Sequence, residues 1–144
     1  MIAEIGLAAL WLAAALAVLQ MVSGALALRT GEGEAAPMAL YARPAAIVQA
    51  ALAVLAFAML LSAFAVTDLS IKLVATNSHS MKPFVYKLTG TWGNHEGSML
   101  LWVAVLALSG GLLASAERRL PERTMSATLA VQGFVALGFY AFLL

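Results

Sequence analysis

One cluster concentrates the chemistry available to this chain: Trp92-Gly93-Asn94-His95-Glu96-Gly97-Ser98, running into Met99-Leu100-Leu101-Trp102. On a helix that starts near His95, the residues His95, Met99 and Trp102 recur at i, i+4 and i+7 and share a face, with Trp92 one turn back. An imidazole flanked by indole rings at a membrane–water boundary can pack against a porphyrin or ligate its iron. The plainer reading makes Trp92 and Trp102 interfacial or lipid-facing aromatics, and Glu96 a carboxylate favouring a helix N-terminus. His79, in Asn77-Ser78-His79-Ser80, is by default a solvated loop histidine, with haem ligation as its functional alternative. Lys72, Lys82 and Lys87 are surface charges suited to attracting propionates or an acidic partner loop, and Phe84 and Tyr86 suit an interfacial anchor.

Other chemistries fail on residue type. There is no cysteine, so the chain has no disulfide, no thiolate metal site and no C-x-x-C-H haem attachment motif. No G-x-S-x-G or Gly-rich phosphate loop occurs, and His95-Glu96 is not the start of H-E-x-x-H because position 99 is Met. Two histidines and a glutamate at loose spacing are too few for zinc. Net charge is +1, from 8 Lys+Arg against 7 Asp+Glu, which argues against a nucleic-acid binder.

The elements that must position the cluster follow from composition. Of 144 residues, 63% are hydrophobic and 10% charged, with mean hydropathy +0.95. A soluble domain carries about 25% charged residues, so this chain cannot coat itself for water and belongs in a membrane. Four uncharged runs, residues 5–28, 44–66, 97–116 and 124–144, are each long enough to cross about 30 Å of hydrocarbon as a helix. They lack the alternation of barrel strands. The expected fold is all-α: a polytopic transmembrane bundle of about four helices with one long polar connection, 67–96. The acidic leader and the length of the first run argue against a cleaved signal peptide. No acidic residue lies inside the runs, which argues against proton pumping.

Five arginines flank the first and third connections and three lysines lie in the second. This bias expects 67–96 on the periplasmic side of a cell inner (cytoplasmic) membrane. Asp68 to Leu73 alternates with period two and predicts a short extended stretch. Pro44 is expected just inside the second helix, where its missing N–H costs nothing. Leu106 is read as lipid-facing. Small residues, among them Ala8, Ala9 and Ala13–Ala15, permit close helix contact, and Gln20, Gln49 and Gln132 are expected to hydrogen-bond between helices, with a polar pathway as the alternative. The chain stops at Leu144 inside an apolar run, as a truncated or split product would.

At these residues the sequence resembles a known family. Val74-Ala75-Thr76-Asn77-Ser78-His79, Pro83, Tyr86-Lys87 and the Trp92–Trp102 block are similar to the N-terminal part of the CcmF cytochrome c-type biogenesis membrane proteins, within the CcmF/NrfE/CcsA haem-handling group. Ile2-Ala3-Glu4-Ile5-Gly6 and Arg43-Pro44 are similar too. The resemblance implies a membrane haem lyase component. Such a protein takes haem from the chaperone CcmE, works with CcmH- and CcmI-type partners, and joins haem to the C-x-x-C-H thiols of apocytochrome c. The family is several times longer, and its Trp-rich segment and axial histidines match no residue here. That role therefore does not pass to His79 or His95; what passes is Trp92, Gly93, Asn94, His95, Glu96, Gly97, Ser98 and Trp102 as support for a haem site, with Asn77, His79, Pro83, Tyr86 and Lys87 more weakly matched. Haem is thus a cofactor of the longer proteins, and a piece of this size is not expected to act alone. Competing readings are an NrfE-like haem lyase subunit for nitrite reductase, and a small helical transporter or structural subunit.

Overall fold

A backbone in hydrocarbon finds no water to bond, so the uncharged runs close their hydrogen bonds within helices. In the computed structural model, which describes residues 2–29, 39–66, 71–77, 83–91, 93, 95–116 and 121–144, they form α1 (Ile2–Leu28), α2 (Ala39–Ala65), α5 (His95–Ala116) and α6 (Glu122–Leu143). Two single-turn helices, α3 (Lys72–Asn77) and α4 (Phe84–Thr89), lie between α2 and α5. The four long helices are apolar enough to cross a membrane over Glu4–Leu28, Tyr41–Ala65, Gly97–Ala116 and Thr124–Leu143.

These helices form a ring. α1 packs on α2 and α6, α5 packs on the same two, and α2 meets α6 across the diagonal. Lipid is as apolar as leucine, so close packing rather than water exclusion holds such helices together, and small residues belong at the contacts. The burial pattern follows. Alanines line the interior, from Ala9, Ala13 and Ala17 on α1 to Ala46, Ala53 and Ala56 on α2 and Ala136 on α6. Leu7, Trp11 and Leu12 of α1, and Phe134 and Phe142 of α6, face outward. At Gly24 the backbones of α1 and α6 come so close that an added Cβ would sit 2.6 Å from the Ser126 carbonyl oxygen.

Three local expectations are corrected. α2 starts at Ala39, so Pro44 lies in its second turn; there the missing N–H leaves one helical carbonyl four residues earlier without its amide partner. The following alanines, Ala45, Ala46, Ala50 and Ala53, are buried. Of the stretch expected to be extended, residues 68–70 lie outside the described residues, whereas Lys72 and Leu73 open helix α3. Ile71 and Val74, at helical i, i+3 spacing, pack on Ala63 and Phe64 of α2, and this contact overrides the period-two pattern. Leu106 is half-buried against the main core cluster, because it follows Val103 and precedes Gly110 by three and four residues on the inner side of α5.

Candidate functional site

The chemistry-bearing residues gather at the end of the bundle where α2 finishes and α5 begins. Val74 of α3 is fully buried with Ala63 and Phe64 of α2. α4 begins after Pro83, whose φ of −56° suits a helix entry and whose carbonyl accepts from the Lys87 amide at 3.0 Å. Its last turn is closed by the Gly90 amide on the Tyr86 carbonyl (3.0 Å) and the Thr91 amide on the Leu88 carbonyl (3.1 Å). The Gly93 amide then donates to the Thr89 carbonyl at 2.9 Å, which carries the turn toward α5. Gly90 rests against the Phe64 ring, so α4 is moored to the end of α2. Its other side presents Phe84, Val85 and Tyr86, each 60–67% exposed, in keeping with a helix lying at a membrane boundary.

On this frame Pro83, Tyr86 and the half-buried Lys87 sit on or at α4, and Gly93 is exposed in the turn that follows. His95 and Glu96 are the first two residues of α5 and Asn77 is the last of α3, each described by backbone alone. Gly97 is buried and Ser98 half-buried in the first turn of α5. His79, Trp92 and Asn94 lie outside the described residues. Trp102 is 61% exposed, and its ring meets Phe139 of α6 edge-on, with centroids 6.4 Å apart and planes at 84°. Such an edge-to-face pair is a favourable aromatic geometry, and it gives Trp102 the outward place of the plainer reading.

Among the described residues no group of three or more His, Cys, Asp or Glu can hold a metal ion. Described polar side chains at this end include the Tyr86 hydroxyl, the Lys87 amine, the Met99 thioether and the buried Thr91 hydroxyl.

A second polar constellation lies inside the bundle. Gln20 of α1 donates from Nε2 to the Leu129 carbonyl (2.6 Å) and to Gln132 Oε1 on α6. Gln132 Nε2 donates onward to the Leu106 carbonyl of α5 at 3.2 Å. Gly110 makes this reach available: a Cβ there would sit 2.8 Å from Gln132 Cδ. Gln49 Nε2 of α2 donates to the Tyr140 hydroxyl of α6 at 3.1 Å. The glutamines therefore bond between helices, as expected. Sequence reasoning missed their partners Tyr140 and Gly110, although a tyrosine within an apolar run signals a hydroxyl needing a partner. It also took Arg43 as a flanking charge and as part of the Arg43-Pro44 resemblance, without a helix-capping role. Arg43 Nη1 donates to the Ala114 carbonyl at 2.7 Å, in the last turn of α5, where carbonyls lack amides and a cation suits the helix dipole.

Comparison with known proteins adds the following. No profile of a known protein family matches the chain. The chain is 47% identical over 144 residues to the cytochrome c-type biogenesis protein Ccl1 of Rhodobacter capsulatus, a match covering 100% of this chain and 22% of that protein. It is 41% identical over 144 residues to the cytochrome c-type biogenesis protein CcmF of Pseudomonas aeruginosa, again covering 100% of this chain and 22% of the relative. Among solved structures it superimposes on a cytochrome c haem lyase CcmF with TM-score 0.87 and 28% identity, over 98% of this chain and 23% of that one. The chain thus spans about a fifth of the length of the curated relatives it matches.

Proposed function

The chain is homologous over its full length to the N-terminal part, about 22%, of the CcmF, CycK and Ccl1 cytochrome c-type biogenesis proteins, and from that premise we propose that it serves cytochrome c maturation as the N-terminal helices of a haem lyase. The observation that carries this reading is the superposition on a haem lyase over 98% of the chain at TM-score 0.87, together with identity running through the whole sequence.

Within such a lyase this chain supplies scaffold rather than ligands. Its four helices hold the 67–96 connection at one end, and α4 and the start of α5 present the Gly93–Ser98 elbow there. On the arginine bias, this end faces the periplasm of an inner membrane. Haem is delivered by a CcmE-type chaperone, CcmH- and CcmI-type proteins present the apocytochrome thiols, and the iron ligands come from parts of the lyase beyond these residues. The elbow then bears on the haem-handling surface by position, with His95 as its single imidazole.

The test compares His95→Ala with Leu108→Ala in a full-length lyase carrying this segment. Leu108 is exposed on α5 and serves as the lipid-facing control. Holocytochrome c yield is expected to fall for His95→Ala and to hold for Leu108→Ala. Equal yields would remove His95 from the reading.

A further inference from the structure

The glutamines join side chains of α1, α2 and α6 with a backbone carbonyl of α5 and are incompletely paired. Gln20 and Gln49 are fully buried, and Gln20 Oε1 and Gln49 Oε1 have no hydrogen-bond partner among the described residues. They belong to two pairs, Gln20 with Gln132 and Gln49 with Tyr140, eight residues apart along α6. Gln20 bonds Gln132, Gln132 lies against Gly110, and the next residue, Gly111, lies against Ala50, the neighbour of Gln49.

The amide orientations follow from the partners. Gln20 and Gln132 form a chain whose ends donate to backbone carbonyls, Leu129 and Leu106. Turning either amide over would set oxygen against oxygen, so Gln20 Oε1 is the bare atom and it calls for a donor. Gln49 differs, because Tyr140 can accept from its nitrogen or donate to its oxygen. Either way one end of that amide is bare. When Gln49 Nε2 donates to it, the Tyr140 hydroxyl keeps its own proton to give.

We propose that water binds within the bundle at both pairs, donating to Gln20 Oε1 at one and pairing with the Gln49 amide and the Tyr140 hydroxyl at the other. Buried water typically makes about three hydrogen bonds, to otherwise unpaired polar groups; Gln20 Oε1 is such a group in one pair, and the free end of the Gln49 amide with the Tyr140 hydroxyl supplies two in the other. Two neutral oxygens do not replace the hydration shell of an alkali cation, whereas water donates and accepts and so fits both amides. The proposal is independent of the role in cytochrome maturation.

Glutamine occurs three times in the chain, at 20, 49 and 132, so labelling glutamine alone reports on both pairs. Water-edited solid-state NMR of the whole chain in lipid bilayers, with labelled glutamine and alanine, is the experiment. A through-space cross-peak between the Gln20 and Gln132 side chains establishes assembly in the same sample, and its absence would overturn that pair itself. The expected result is magnetisation transfer from water to the Gln20 and Gln49 side-chain amides several-fold faster than to the buried Ala13 and Ala53 methyls. Transfer to those amides no faster than to the methyls overturns the proposal.

Discussion

Replacing Gln132 by methionine tests the link that ties three helices together. The thioether chain has similar length and still fills the space opened by Gly110, so packing is largely retained. Two interhelical hydrogen bonds vanish, from Gln20 Nε2 to Gln132 Oε1 and from Gln132 Nε2 to the Leu106 carbonyl. Interhelical hydrogen bonds in membranes average about 0.6 kcal/mol and reach about 1.7 kcal/mol. Two of them set the expected loss at about 1–2 kcal/mol, a factor of roughly 5–30 in the folding equilibrium. Steric trapping in bicelles, or helicity followed through a denaturing-detergent titration, measures it. The double-mutant cycle with Gln20→Met isolates the amide pair, with an expected coupling of about 0.6 kcal/mol or more. A neutral single substitution together with zero coupling would refute the link.

Two further substitutions use the same assay. Gly24→Ala places a Cβ 2.6 Å from the Ser126 carbonyl oxygen, and since backbone cannot move aside cheaply the expected loss is about 1–3 kcal/mol. Gly138→Ala meets nothing within 4 Å and is expected to be neutral or stabilising by up to about 1 kcal/mol, so equal effects at the two sites would contradict the α1–α6 approach. Arg43→Met removes a charge-assisted bond to the last turn of α5, at an expected cost of about 1–2 kcal/mol, with Arg43→Lys recovering part of it. A loss no larger than in an exposed leucine substitution would count against that cap.

The long helices were legible because hydrocarbon admits few alternatives to a helix, and uncharged runs as long as Ile5–Leu28 mark where it applies. The alanine bias likewise foretold a close-packed interior. Facing was less legible, since a helix apolar on all sides does not advertise its inner face; Leu106 was misplaced for that reason, and only its neighbours Val103 and Gly110 reveal it. At Lys72 and Leu73 the period-two alternation misled because one contact, Val74 against Phe64, outweighs a weak local pattern. Glutamine bonding was readable as a tendency, but its partners were not, because Tyr140 lies eight residues beyond Gln132 and the Leu106 and Leu129 acceptors are backbone. At the elbow the block from Trp92 to Ser98 was legible as a motif. Of that block, Trp92 and Asn94 lie outside the described residues, and His95 and Glu96 open α5.

The central claim is that this chain forms working N-terminal helices of a cytochrome c haem lyase. In a strain whose own lyase lacks the matching segment, the chain joined to the rest of that lyase should restore haem-staining c-type cytochrome. The same strain with the truncated lyase alone should show none. Full expression and membrane insertion of the joined protein without covalent haem attachment would contradict the claim.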